Sequence, residues 1–225
     1  IILPSDLRYR MMRITPTIRL SDLATVSLAI EAVSEKLDVK RAVLAQFESE
    51  ARPDAIFATN TSSYTLTDIA GKATRPERCV GLHFFNPVAK MQLVEVVRAP
   101  FTSEQALAQA SSLAKRLGKF PLVVRDGPGF LVNRILTRYL AEAVILVGEG
   151  IPIRRIDAVA KDFGMAVDSG HPMGPLELLD LIGLPVAMHV LTSLAVLGSR
   201  IESRDLLLRG FLSEKHPVTF WKSGK

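Results

Sequence analysis

The chain contains one cysteine, one tryptophan and no apolar run approaching the ~18 residues that a membrane helix needs. The single thiol, Cys79, excludes an internal disulfide framework, and the absence of a CxxC pair argues against a zinc or redox dithiol site. The first residues lack the order of a secretory signal, because their short apolar stretch precedes the arginines. We therefore expect a cytoplasmic protein without a membrane span.

The fourteen glycines include no G-x-G-x-x-G loop, since Val132 and Ile153 stand where the two nearest candidates need their third glycine. The phosphate-binding turn of a dinucleotide site is therefore not found in this sequence. Walker A, HExxH, GxSxG and EF-hand patterns are also absent, and we expect no metal site. The net charge is +5, but the basic residues are scattered, which argues against nucleic-acid binding and favours a phosphate-bearing small ligand.

Short β-branched runs alternate with amphipathic stretches in the first half of the chain. They predict strands over residues 26–33, 55–59, 79–84, 93–97 and 121–124. They predict helices over residues 35–51, from residue 65, and from an N-cap at Ser103 to about Leu117. Beyond residues 126–129 (DGPG) helical patterns dominate, over residues 130–147, 153–163, 175–182 and 186–197. We expect a mainly parallel α/β domain (residues 1–125) followed by an all-helical domain (residues 126–225).

Polar side chains follow the predicted strands at the points where those strands end. Glu35 comes after the first strand, residues 60–63 (NTSS) after the second, and His83 with Asn86 at the end of the third. Glu95 interrupts the apolar fourth strand. Ligands of open α/β sheets bind beyond the carboxyl ends of the strands, so we expect a site at this edge.

These residues also have ordinary structural interpretations. NTSS is common turn chemistry, His83 could be a structural histidine, and Asn133 could be an exposed residue on the opening turn of a helix. Glu95 is harder to explain in this way, because a carboxylate in a buried strand needs a partner. His83 is a plausible partner, and a His–Glu pair gives an oriented general base.

Five motifs occur in a specific order: NTSS (60–63), GLHFFNPV (81–88), MQLVEVV (91–97), DGPGFLVNRIL (126–136) and HPMGPLELLDLIG (171–183). In this order and spacing the chain resembles the L-3-hydroxyacyl-CoA dehydrogenase family, and in particular the dehydrogenase portions of bacterial multifunctional fatty-acid-oxidation proteins. The resemblance runs from about residue 20 to about residue 197. It implies a Rossmann-type NAD-binding domain, a helical domain, and NAD-dependent oxidation of (S)-3-hydroxyacyl-CoA to 3-oxoacyl-CoA in fatty-acid β-oxidation.

The resemblance also implies roles for single residues. His83 matches the family's catalytic histidine, which takes the hydroxyl proton, and Glu95 matches the carboxylate that orients it. Ser62 matches the serine near the substrate oxygen and the nicotinamide, and Asn133 matches the asparagine that contacts the substrate. The positions that match NAD contacts of the family are Val33, Ser34, Glu35, Lys40, Ser62 and Asn86.

One departure from the family lies at the start of the chain. The family's glycine-rich first βαβ unit would precede Leu20, where only nineteen residues stand, so we expect the glycine-loop half of the NAD domain to be missing and this chain alone to be poorly active. The resemblance further implies an acyl-CoA substrate, a homodimer through the helical domain, and fusion to or association with a hydratase domain. Two alternatives stay open: a truncated or non-catalytic CoA-binding relative, and a sister enzyme acting on a free 3-hydroxy acid.

Overall fold

The computed structural model describes residues 4–165, 167–168 and 172–183, together with Ala187, Leu194 and Phe220. Its first part contains five strands: β1 (Leu28–Glu31), β2 (Ile56–Thr59), β3 (Cys79–Phe84), β4 (Leu93–Arg98) and β5 (Phe120–Arg125). The helices of this part are α1 (Pro4–Met11), α2 (Leu37–Glu50), α3 (Leu66–Ala70) and α4 (Glu104–Arg116), with short 3₁₀ turns at Leu20–Thr25 and Pro76–Arg78. The predicted order of β1–β5 and α2–α4 is confirmed, with boundaries that differ by up to two residues, whereas α1 and the 3₁₀ turns were not predicted.

The five strands form one sheet in the order β1-β2-β3-β4-β5. Neighbouring strands are parallel at β1–β2, β2–β3 and β4–β5, which confirms the predicted parallel character, but β3 and β4 are antiparallel. Only residues 85–92 connect these two strands. A parallel pair needs a crossover of a dozen or more residues, so this short connection forces β4 to reverse direction.

Helices cover both faces of the sheet. On one face Leu44 and Phe47 of α2 and Leu66 of α3 pack against Phe57 of β2. On the other face small and branched side chains of α4 pack against the strands; the buried members are Ile56, Ala58, Val80, Leu82, Val94, Val96, Ala106, Leu107, Ala110 and Ala114. The predicted N-cap of α4 is confirmed, since Ser103 Oγ accepts from the Ala106 N–H at 3.2 Å.

The second part is helical, as predicted, with α5 (Val132–Gly148), α6 (Ile153–Asp162) and α7 (Pro175–Ile182). Two two-residue strands, β6 (Val167–Asp168) and β7 (Pro172–Met173), add a short antiparallel pair that the sequence pattern did not predict. Leu140, Val144, Ile156, Leu176 and Leu179 form the centre of its core. The helix predicted over residues 186–197 lies outside the described residues, apart from Ala187 and Leu194. Across the described ranges, no helix is long and apolar enough to cross a membrane.

Candidate active site

A buried histidine–carboxylate pair joins β3 to β4. The antiparallel register sets His83 directly opposite Glu95, and His83 Nδ1 lies 2.8 Å from Glu95 Oε2. His83 is 5% exposed and Glu95 is fully buried. Side chains alternate between the faces of a strand, so a register slip of one residue would send the two to opposite faces. The β3–β4 register is therefore what makes this pair possible.

Gly81 protects that register by letting β3 and β4 approach closely. A Cβ atom at Gly81 would lie 2.6 Å from Cβ of Val97, its partner on β4 and two residues from the His83–Glu95 pair. Non-bonded carbon atoms essentially never come so near, so a side chain at residue 81 would push the strands apart.

The second oxygen of Glu95 binds the start of α5. Glu95 Oε1 accepts from the backbone N–H groups of Leu131 and Val132, both at 2.9 Å. Unpaired N–H groups and the positive end of the helix dipole make a helix N-terminus a favourable place for a carboxylate. With this helix terminus on one oxygen, Glu95 serves as an acceptor, so His83 Nδ1 carries the hydrogen that it donates. In the neutral imidazole with this tautomer, the lone pair is on Nε2.

Aromatic rings enclose the imidazole of His83. The ring centroids of Phe85 and Phe130 lie 4.6 and 5.6 Å from that of His83. Phe130 is buried and its backbone φ is 47°, in the left-handed region that few side chains adopt. Strained backbone of this kind clusters at functional sites, so Phe130, which sequence reasoning did not single out, is a candidate site residue.

The structure connects the segments of Ser62 and Asn133 to this pair. Asn133 is half-buried on the first turn of α5, directly after Val132, whose N–H binds Glu95. Ser62 is half-buried in the loop after β2. Asn60, in the same loop, accepts from the N–H of Phe84, the neighbour of His83, at 3.0 Å.

Glu35 holds the loop that contains Ser62. Its Oε1 accepts from Thr61 Oγ1 at 2.6 Å and from the N–H groups of Ser62 and Ser63 at 3.2 and 3.1 Å. Its Oε2 lies 2.9 Å from Lys40 Nζ. Burial raises the pKa of Glu35, but the hydrogen bonds from Thr61 and Lys40 and the charge of Lys40 outweigh burial and bring this pKa below its ordinary 4.5. Glu35 is therefore an ionised carboxylate at the carboxyl ends of β1 and β2.

The other residues predicted to contact NAD differ in accessibility. Val33, Ser34 and Asn86 are exposed, and a cis peptide bond joins Asn86 to Pro87. Lys40 is only 1% exposed and its ammonium binds carboxylates of the protein. Of the positions predicted to contact NAD, Val33, Ser34 and Asn86 are therefore exposed and Glu35 is partly exposed. Lys40 is buried against Glu35.

Sequence reasoning also missed Glu31, which is buried at the end of β1 and binds Lys40. The signal was present, because Glu31 interrupts an apolar strand just as Glu95 does. Thr61 was part of the NTSS motif but received no role of its own. Among the residues that the structure describes, no group of three His, Cys, Asp or Glu side chains could hold a metal ion.

Comparison with known proteins identifies both parts of the chain. The model of the 3-hydroxyacyl-CoA dehydrogenase NAD binding domain matches residues 4–127, and that of the C-terminal domain of the same family matches residues 129–220. The fatty acid oxidation complex subunit alpha of Vibrio campbellii is 42% identical over 207 residues, which are 92% of this chain and 29% of that protein. Its counterpart from Idiomarina loihiensis is 44% identical over 202 residues, 89% of this chain and 28% of that protein. The chain thus spans under a third of these relatives.

Solved structures of single dehydrogenases agree with this fold. The (S)-3-hydroxybutyryl-CoA dehydrogenase PaaH1 from Ralstonia eutropha superimposes with a TM-score of 0.86 at 36% identity, over 93% of this chain and 73% of that one.

Proposed function

The chain belongs to the 3-hydroxyacyl-CoA dehydrogenase family, and on that premise we propose that it catalyses NAD-dependent oxidation of (S)-3-hydroxyacyl-CoA to 3-oxoacyl-CoA in fatty-acid β-oxidation. The observation that carries this proposal is the buried His83–Glu95 pair, in which Glu95 Oε2 lies 2.8 Å from His83 Nδ1. A neutral imidazole that donates from Nδ1 keeps its lone pair on Nε2. An imidazole in this state is a positioned general base. The names of the relatives, which include an (S)-3-hydroxybutyryl-CoA dehydrogenase, support the same reaction.

In this proposal His83 Nε2 takes the proton of the substrate's 3-hydroxyl group. NAD, when bound, supplies the acceptor for the hydride that leaves C3. The imidazole gains a positive charge as it takes the proton, and Glu95, 2.8 Å away on its other side, stabilises that charge. Ser62, in the loop after β2, lies near the substrate oxygen and the nicotinamide, and Asn133 contacts the substrate from the first turn of α5.

The residues at the carboxyl ends of β1 and β2 fit part of a dinucleotide. The carboxylate of Glu35 is about a third exposed and ionised, so it can accept from ribose hydroxyl groups. Val33, Ser34, Ser62 and Asn86 would complete this side of the cofactor site, with Lys40 supporting Glu35 from behind. The sequence offers no glycine loop for the diphosphate, so we assign no residue to that group.

The test is NADH oxidation with acetoacetyl-CoA by the intact native protein, run beside its His83→Ala variant. Loss of a positioned general base should lower kcat by about 10²–10⁴-fold, while NADH affinity stays within about twofold. A loss below about threefold would remove His83 from the mechanism. NADH binding without turnover would favour the non-catalytic alternative, and equal rates with free acetoacetate would favour an enzyme of free 3-hydroxy acids.

We also propose that two copies associate through the helical part. A largely apolar groove of about 310 Å³ lies between α5 and α6, and exposed Val159 and Phe163 contribute to it. Glu142 and Arg155 line the same groove, so a two-fold contact that sets Glu142 of one copy against Arg155 of the other would pair opposite charges. Sedimentation should show a dimer that Phe163→Glu converts to monomer, and a wild-type monomer at high concentration would contradict the proposal.

Fusion to a hydratase domain and a cytoplasmic location remain predictions. The mass of the native protein tests the fusion, and cell fractionation tests the location.

A further inference from the structure

Glu31 is a buried carboxylate to which neither the sequence patterns nor the family resemblance gave a role. It ends β1, is 4% exposed and stands opposite Thr59 in the β1–β2 register. Its Oε1 accepts from the Val33 N–H at 2.7 Å and from Lys40 Nζ at 2.9 Å. Its Oε2 accepts from Thr59 Oγ1 at 2.6 Å and from Lys40 Nζ at 3.2 Å. Both oxygens of Glu31 are thus engaged inside the protein, so it acts on its neighbours and does not bind a ligand.

Lys40 connects this buried carboxylate to an accessible one. The Lys40 ammonium is 1% exposed and lies 2.9 Å from Oε1 of Glu31 on the inner side and 2.9 Å from Oε2 of Glu35 on the outer side. A buried ammonium is very costly without a paired negative charge, so Glu31 fixes where this ammonium can lie. The position of the ammonium in turn determines where the Glu35 carboxylate points.

Glu35 passes this constraint to the loop after β2. While Oε2 of Glu35 faces Lys40, its Oε1 accepts from Thr61 Oγ1 and from the N–H groups of Ser62 and Ser63. A continuous series of contacts therefore runs from Glu31 through Lys40 and Glu35 to Ser62.

Resting on the function proposed above, we propose that Glu31 is a positioning residue of the cofactor site, which acts through Lys40 and Val33 to direct the Glu35 carboxylate and order the loop of Ser62. The competing explanation is that the Glu31–Lys40 pair only fastens β1 to α2. That explanation predicts a loss of global stability on substitution, with the order of the Ser62 loop and the affinity for NADH unchanged.

The first test is Glu31→Gln, which keeps the shape of the side chain but removes its charge and one of its acceptor atoms. We expect amide exchange of Ser62 and Ser63, measured by NMR in the native protein, to become about tenfold faster. We expect the Kd for NADH, measured by fluorescence titration, to rise about tenfold, the order of one hydrogen bond to a charged group. The amides of Leu131 and Val132, which bind Glu95, should keep their exchange rates.

The matched control is Asp157→Asn, another buried carboxylate that accepts from two backbone N–H groups, in the helical part. It should lower global stability but leave NADH affinity and the exchange of Ser62 and Ser63 within about twofold. If Glu31→Gln does not fold, the neutral double variant Glu31→Gln/Lys40→Met replaces it, since exchanging a buried ion pair for uncharged residues of similar volume is often tolerated.

The double variant should show the same loss of Ser62 and Ser63 protection as Lys40→Met alone, because the three residues act in series. Unchanged protection of these two amides in every folded variant would overturn the proposal and leave Glu31 with a structural role only. If the wild-type native protein binds no NADH, the cofactor part of the proposed function fails, whereas the exchange measurement still decides the role of Glu31.

Discussion

The Glu95→Gln substitution tests the proposed mechanism at the carboxylate that binds both His83 and the start of α5. Glu95 receives three hydrogen bonds, one from His83 Nδ1 and two from the start of α5. In the variant, the amide oxygen should stay with the Leu131 and Val132 N–H groups, because an amide nitrogen there would face two donors. The amide nitrogen is then directed at His83 Nδ1, which has to become an acceptor. The imidazole hydrogen moves to Nε2, the atom that must take the substrate proton.

The expected magnitudes follow from these contacts. Hydrogen bonds to a charged group contribute about 1.5–3 kcal/mol and neutral ones about 0.5–1.5 kcal/mol. Weakening three of them by about 1–1.5 kcal/mol each in a buried site should cost about 3–4.5 kcal/mol of unfolding free energy. The kcat should fall by about 10²-fold, the lower end of the range for general-base catalysis, because the ring remains and can regain the productive tautomer by giving up one hydrogen bond.

Three measurements check this prediction, and urea unfolding gives the loss of stability. NADH oxidation with acetoacetyl-CoA gives kcat, and nitrogen-15 NMR of the imidazole shows directly which ring nitrogen of His83 carries the hydrogen. Asp157→Asn serves as the control. It removes the charge of a buried carboxylate that accepts from the start of α7 and is not part of the His83 pair. A Glu95→Gln protein that keeps more than a third of the wild-type kcat and an unchanged nitrogen spectrum would refute the assigned tautomer and the role of Glu95.

Three further outcomes are expected. Gly81→Ala should destabilise the protein by about 1–3 kcal/mol and lower kcat, since its Cβ would meet Val97 at 2.6 Å; equal urea midpoints would contradict this. Burial, with nearby carboxylates, raises the pKa of Cys79 to about 12, so a disulfide reagent at pH 8 should modify it only on unfolding; rapid modification of folded protein would be the contrary result. The lowered pKa of Glu35 stabilises the folded state above pH 4.5, and this contribution disappears as the pH falls through the folded pKa. Urea unfolding from pH 7 to 3 should therefore show the wild-type advantage over Glu35→Gln vanish in acid, and a constant difference would count against it.

Much of the fold follows from the sequence because its signals are local. The strand Cys79–Phe84 and the helix Pro175–Ile182 have the predicted bounds, since apolar periodicity and breaking residues act within a few positions. The direction of β4 is different in kind. Its reversal depends on the short connection from β3, and the apolar pattern of a strand does not indicate the direction in which the strand runs.

Some residues of the candidate site were likewise predictable from the sequence and others were not. A carboxylate within an apolar strand signals a buried partner, and this signal connected Glu95 to His83 before any geometry was known. The same signal at Glu31 was not used, because its partner Lys40 lies on a helix nine residues later and was assigned to the cofactor by resemblance alone. Residues that contact a ligand are accessible to motif comparison, whereas those that hold them in place depend on tertiary contacts.

Among the described residues, carboxylates distant in sequence hold the starts of three helices, and one of these carboxylates, Glu95, also binds a histidine. Asp126 accepts from the backbone at the start of α3, Glu95 at the start of α5 and Asp157 at the start of α7. Asp126 and Asp157 use both oxygens for this purpose. Glu95 uses one oxygen and leaves the other for His83, so the contact that fixes α5 also fixes the imidazole. Any movement of α5 relative to the sheet must therefore alter the orientation of the proposed base.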